Sequence, residues 1–185
     1  MISRVSQNVN GANINTTMTL SNSAPAWLKT AESTIGVREV PGAANSPTIM
    51  RWARQVGRYL GIPYAADSTP WCGLWTAWVF DQHGITPPPI AIRASQWGTW
   101  GTKLTRGTPG AVLVFTRAGG GHVGLYASED EDNYHVVGGN QSDSVSVMKL
   151  AKNRCTAIRW PAGQPAPTSG PVFRRFDGRV STNEA

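Results

Sequence analysis

The stretch Pro109-Gly110-Ala111-Val112-Leu113-Val114-Phe115-Thr116 is where this chain changes its period. Before it, apolar residues recur three and four apart. After it, they alternate or run in short blocks. Residues 111–116, 122–127, 134–137, 144–148 and 155–160 form five strand-length runs. They are rich in β-branched and aromatic residues and separated by Gly, Asn, Asp and Ser. Short turns join them, so they read as an antiparallel meander.

Upstream the same reading gives helices. Pro25 to Gly36 puts Trp27, Leu28, Ala31 and Ile35 on one face. A second helix is capped by Ser46 and opened by Pro47, with Ile49, Ala53, Val56 and Leu60 in register and Gly61 as its stop. A third is expected to take Thr69 as its N-cap and Pro70 as its first residue, and to run to His83-Gly84. It is apolar around most of its circumference, as in a helix buried on several sides. Ile90 to Trp97 predicts a short further helix. Helices first and strands second make an α+β fold, N-terminal helices packed on a five- to six-stranded antiparallel sheet.

The 185 residues are 40% hydrophobic and include eight Trp, enough for one folded domain, expected over 24–160. Residues 1–23, rich in Asn, Ser and Thr, read as a flexible arm. Residues 161–185, with Pro161, Pro165, Pro167 and Pro171, read as an extended or disordered tail. No apolar run approaches the length of a bilayer span, and Met1 to Asn8 lacks the apolar segment of a secretory signal. Net charge is +6, but only Arg174-Arg175 are adjacent, so the charge reads as attraction to polyanions and not as nucleic-acid recognition.

Chemistry concentrates around Asp67-Ser68-Thr69-Pro70-Trp71-Cys72-Gly73. Cys72 falls in the first turn of the third helix, where unpaired N–H groups and the helix dipole favour the nucleophilic thiolate. Gly119-Gly120-Gly121-His122 offers a base at a strand entry, and Gly138-Gly139-Asn140-Gln141 offers Asn140 to orient it. Cys, His, Asn is the order of a thiol hydrolase. Each has a blander reading: His122 as a surface histidine and Asn140 as a turn residue. Asp143 and Asp67 are rivals for the orienting role. The oxyanion donors are expected to include the backbone N–H of Cys72. Trp71, Trp97 and Trp100, with Asp67, are candidates for a substrate cleft, while Trp75 and Trp78 read as core. Cys155 sits in an alternating run as a structural thiol, not as a disulfide partner. His83 and His135 read as structural. No close-spaced ligand pair points to a metal, and no cofactor is expected.

Trp71-Cys72, the Pro109-Gly110 turn, Gly121-His122-Val123-Gly124 and Gly139-Asn140-Gln141-Ser142 together resemble the NlpC/P60 and CHAP superfamily, in its phage-associated branch of small wall hydrolases. The resemblance covers residues 25 to 160. It implies a papain-like fold and hydrolysis of an amide bond in peptidoglycan, by a stem-peptide endopeptidase or an N-acetylmuramoyl-L-alanine amidase. Cys72 would be nucleophile, His122 base and Asn140 orienter. A non-catalytic wall-binding or phage structural module with the same fold is the alternative. Two positions depart from the pattern. Ala111 stands where many relatives have Asp, and Gly138 where many CHAP members have Glu. The chain is expected to be a monomer, made in the cytoplasm and acting on the wall after release or delivery. A phage-particle partner through the N-terminal arm is a further expectation.

Overall fold

The computed structural model describes residues 24–182 and 184. The expected N-terminal arm, 1–23, lies outside them. Three helices come first: α1 (Ala26–Ser33), α2 (Pro47–Leu60) and α3 (Cys72–Asp81). The strands follow: β1 (Thr102–Lys103), β2 (Val112–Arg117), β3 (Gly120–Glu129), β4 (Asn133–Gly138), β5 (Ser146–Ala151), β6 (Cys155–Trp160) and β7 (Val180–Ser181). Short 3-10 segments span Ala94–Gly98 and Lys152–Arg154. The sheet order is β1-β6-β2-β3-β4-β5-β7. Among the described strands only the β5–β7 pair is parallel. The α+β class is therefore as the sequence indicated. The sheet has seven strands and not five or six, because β1 and β7 are two residues each and too short to show a period.

α2 shows its amphipathic origin plainly. Ile49, Trp52, Ala53, Val56 and Leu60 are buried, and the left-handed Gly61 ends it. Ser46 stands at the N-cap but makes no side-chain cap bond. Of the ten residues of α3, only Trp78 and Asp81 escape full burial. Trp78 stacks on Trp52 of α2 at 4.8 Å between ring centroids. Leu28, Leu74, Phe80, Leu113, Val123, Leu125 and Val136 are wholly buried between helices and sheet.

α1 ends at Ser33 and α3 at Asp81, both short of the expected glycines, and the segment expected from Ile90 is a 3-10 turn from Ala94 to Gly98. Two further boundaries bear on the site. α3 starts at Cys72 with Trp71 as its N-cap, so Pro70 lies outside the helix and Thr69 does not cap it. The chain closes a turn from Ala66 to Thr69 instead, and Tyr64 Oη donates to the Thr69 carbonyl at 3.0 Å. The fourth run, expected from Ser144, begins two residues late, at Ser146, because Ser142 and Asp143 have left-handed φ angles of 51° and 56°.

The described part of the tail is an extended strap. Trp160 Nε1 donates to Pro165 O, Thr108 Oγ1 to Ser169 O, and the Glu129 N–H to Val172 O. β7 then pairs with β5. The strap thus passes from β6 to the opposite edge of the sheet. Among the described residues no helix is long and apolar enough to cross a membrane.

Candidate active site

A cleft of about 430 Å³ opens between the start of α3, the Ala94–Gly98 segment and the β2–β3 hairpin. Cys72, Ile92, Arg93, Phe115, Arg117 and Thr156 are among its lining. Cys72 is at the first position of α3, and its thiol reaches the Val123 N–H of β3. The residue before Val123 is His122. Helix start and strand start therefore meet at one peptide unit, although fifty residues of chain separate them.

His122 is 1% exposed. Its Nε2 lies 3.1 Å from Gln141 Oε1. The Gln141 amide has one available orientation. Its Nε2 donates to the Ser146 carbonyl at 2.7 Å and to the Val136 carbonyl at 3.3 Å. Its oxygen therefore faces the ring and can only accept, which puts the ring proton on Nε2. In the neutral imidazole Nδ1 is then the free acceptor. Among the described residues the side chain that meets the ring is Gln141, and no hydrogen bond joins the ring to Asn140, Asp143 or Asp67. Asn140 instead holds a left-handed turn at φ 56°, the bland reading for a Gly-Asn step. A turn at Asn140 leaves the next residue to reach the ring.

The two glycines before this turn are needed for close approach. A Cβ on Gly138 would lie 2.6 Å from Gln141 Oε1 and 3.0 Å from His122 Nε2. A Cβ on Gly139 would lie 2.7 Å from the Trp75 Cβ. A larger residue at position 138 would occupy the space where the ring and the amide meet.

Electrostatics keep the pair neutral at rest. Burial pushes the Cys72 thiol up, against the opposing effects of the Val123 N–H, the Arg117 guanidinium and the N–H groups of Gly73 and Cys72. The expected helix-start effect is present, but burial outweighs it. Burial lowers His122 to about 4, while Glu184 and Gln141 favour its charged form. A neutral imidazole with Nδ1 as acceptor, on the residue before the Val123 N–H that meets the neutral thiol, has the protonation state that general-base activation needs.

The remaining predicted binding residues are not at the cleft. Trp71 and Trp97 are wholly buried. Trp71 Nε1 donates to Glu39 Oε1 at 2.6 Å, and Trp97 Nε1 to Ala91 O at 2.9 Å. Trp100 packs on Phe80 and Trp97. Their size and apolar rings are used in the core. Asp67 accepts the N–H groups of Val40 and Ser46 at 3.0 and 2.7 Å, fastening the loop beside Cys72. Cys72 and Cys155 are both free thiols. Burial raises Cys155 to about 11, an inert thiol. His135 is likewise structural, held between Ser128 and Asp130.

Three functional candidates lay outside the sequence reading. Gln141 had a signal, since it adjoins Asn140. Arg117 had only its place in the hairpin. Glu184, in the tail, had none. No family model matches the chain, and no curated protein matches it.

Proposed function

We propose that this protein is a peptidoglycan hydrolase of the thiol type, acting on an amide bond of the wall peptide. The observation that carries the proposal is Cys72 at a helix start on an open cleft, its thiol on the Val123 N–H that directly follows a buried His122 whose tautomer Gln141 fixes. The papain-like arrangement of the NlpC/P60 and CHAP superfamily accounts for it, with Gln141 in the third role. Among the described residues Arg93 and Arg117 line the cleft and no acidic residue does, which suits an anionic polymer.

The chemistry follows from the groups present. His122 Nδ1 takes the proton from the Cys72 thiol as Sγ bonds to the scissile carbonyl carbon. Backbone N–H groups at the helix start, that of Cys72 among them, would receive the oxyanion in this reading. Collapse breaks the C–N bond, and the imidazolium gives its proton to the departing amine. Water, deprotonated by the same imidazole, then cleaves the thioester. The sum is amide plus water giving acid plus amine.

The test is digestion of purified peptidoglycan, with mass spectrometry of the products to identify the bond. Cys72→Ala is expected to abolish release while leaving the fold intact; full release in that variant would sink the proposal. The burial that holds the thiol neutral favours a second reading, a wall-binding module without catalysis. Iodoacetamide separates the two. Rapid, His122-dependent labelling of Cys72 near neutral pH supports catalysis, and an inert Cys72 supports binding alone.

A further inference from the structure

The C-terminal strap carries a carboxylate to this site. Glu184 is 1% exposed. Its two oxygens accept from Arg154 Nη1 and Nη2, both at 2.9 Å. Arg154 also donates from Nε to the Thr116 carbonyl at 3.0 Å and from Nη1 to the Ser181 carbonyl at 2.9 Å. Thr116 lines the cleft. The Glu184 carbonyl accepts the Ser142 N–H at 3.1 Å, one residue from Gln141. Glu184 is thus fastened both to the loop that presents Gln141 and to the strand that walls the cleft.

A bidentate Arg–Glu pair in a buried place is by default a fastening. This one has neighbours that give it a second consequence. The groups acting on His122 are Glu184 from the strap, Gln141 from the β4–β5 loop, Arg117 from β2 and Arg154 from the turn before β6; Cys72 of α3 meets the adjoining peptide unit. Burial and both guanidinium groups oppose a charged ring, and Glu184 works against them. The ring must nevertheless become charged when it takes a proton from the thiol.

We infer that Glu184 is a positioning residue for His122: its carboxylate, held by Arg154 and the strap, stabilises the imidazolium formed as Cys72 loses its proton. In that step the S–H bond breaks and an N–H bond forms on His122, giving thiolate and imidazolium. Glu184 stays ionised and exchanges no proton. The catalytic consequence rests on the thiol-hydrolase reading, whereas the electrostatic one does not.

The test is an NMR titration of 13C-labelled histidine in the full chain, with His122 assigned by its loss in His122→Gln. Glu184→Gln is expected to lower the His122 titration by about half a unit to one unit. Iodoacetamide capture of Cys72 should slow by about tenfold. Glu184→Asp should restore most of both. On peptidoglycan, kcat should fall with KM unchanged, which loss of folded protein would not mimic in its pH profile. Should Glu184→Gln not fold, Arg154→Gln/Glu184→Gln removes both charges and gives the same readout. Because Glu184 acts on the ring more strongly than Arg154 does, the titration should still move down. An unchanged His122 titration and unchanged labelling in a folded variant overturn the inference. Failure of the wild type to cleave peptidoglycan would sink the hydrolase reading and leave the titration result standing.

Discussion

His122 Nε2 and Gln141 Oε1 meet at 3.1 Å in a space that Gly138 leaves open by lacking a Cβ. This contact organises the whole site. It holds the ring, fixes its proton on Nε2 and leaves Nδ1 as the acceptor. Everything behind it is satisfied: the Gln141 amide holds β4 through Val136 and β5 through Ser146. The orientation of one base is therefore supported by two strands.

Gln141→Ala should cost activity by about a hundredfold, since the ring loses the partner that sets its tautomer. It should also cost about 1–3 kcal/mol of stability, because buried donors and acceptors lose their partner. Asn140→Gly keeps the left-handed turn and should change activity by less than about threefold. Steady-state kinetics on peptidoglycan with paired melts check both. The reverse ranking would return the orienting role to Asn140.

Gly138→Ala is a sharper probe of the same contact. Its Cβ would force Gln141 Oε1 and His122 Nε2 apart by a few tenths of an ångström or more. The expected result is a loss of about 1–3 kcal/mol and a fall in activity out of proportion to it. Unchanged kinetics in this variant would show that the hydrogen bond is not needed in turnover.

The α+β order was legible because α2, α3 and β2 carry their periods openly, and the Pro109-Gly110 turn separates the two regimes. Cys72 was legible as a helix-start cysteine, though the helix boundary was misplaced by two residues: a local turn and Tyr64 claimed Thr69 before it could cap. The side chain that meets His122 lies one position past the Asn140 expected to do so. Which of Asn140 and Gln141 faces His122 depends on the sign of one φ angle, and residue type alone does not fix that sign. Glu184 was beyond reach because its partner Arg154 lies thirty residues away and the strap between them has no period. The tryptophans misled for a simple reason: aromatic rings fill a core and line a cleft equally well, and only burial separates the two uses.

Trp97 tests that separation. Trp97→Phe removes the indole N–H that serves the Ala91 carbonyl and should cost about 1–3 kcal/mol. KM on peptidoglycan should be unchanged, because the ring does not line the cleft. A raised KM with an unaltered melting temperature would restore Trp97 to substrate binding.

The pH dependence has two opposed sources. His122 falls from 6.5 to about 4 on folding. The unfolded chain binds more protons between those values, so stability is complete above about 6.5 and is lost as pH falls toward about 4, by roughly 3 kcal/mol. The same shift keeps the base unprotonated, so the acid limb of kcat/KM should lie near 4 and not near 6.5. Glu32 runs the other way. Burial raises it from 4.5 to about 7, and its Oε1 is buried without a hydrogen-bond partner. Here the folded state binds the extra proton, so its contribution is complete below about 4.5 and lost as pH rises through about 7. Glu32→Gln should therefore raise the melting temperature at about pH 8 while leaving it unchanged near pH 5. Calorimetry across that range checks both groups, and an acid limb at the ordinary histidine value would show that His122 is not the base.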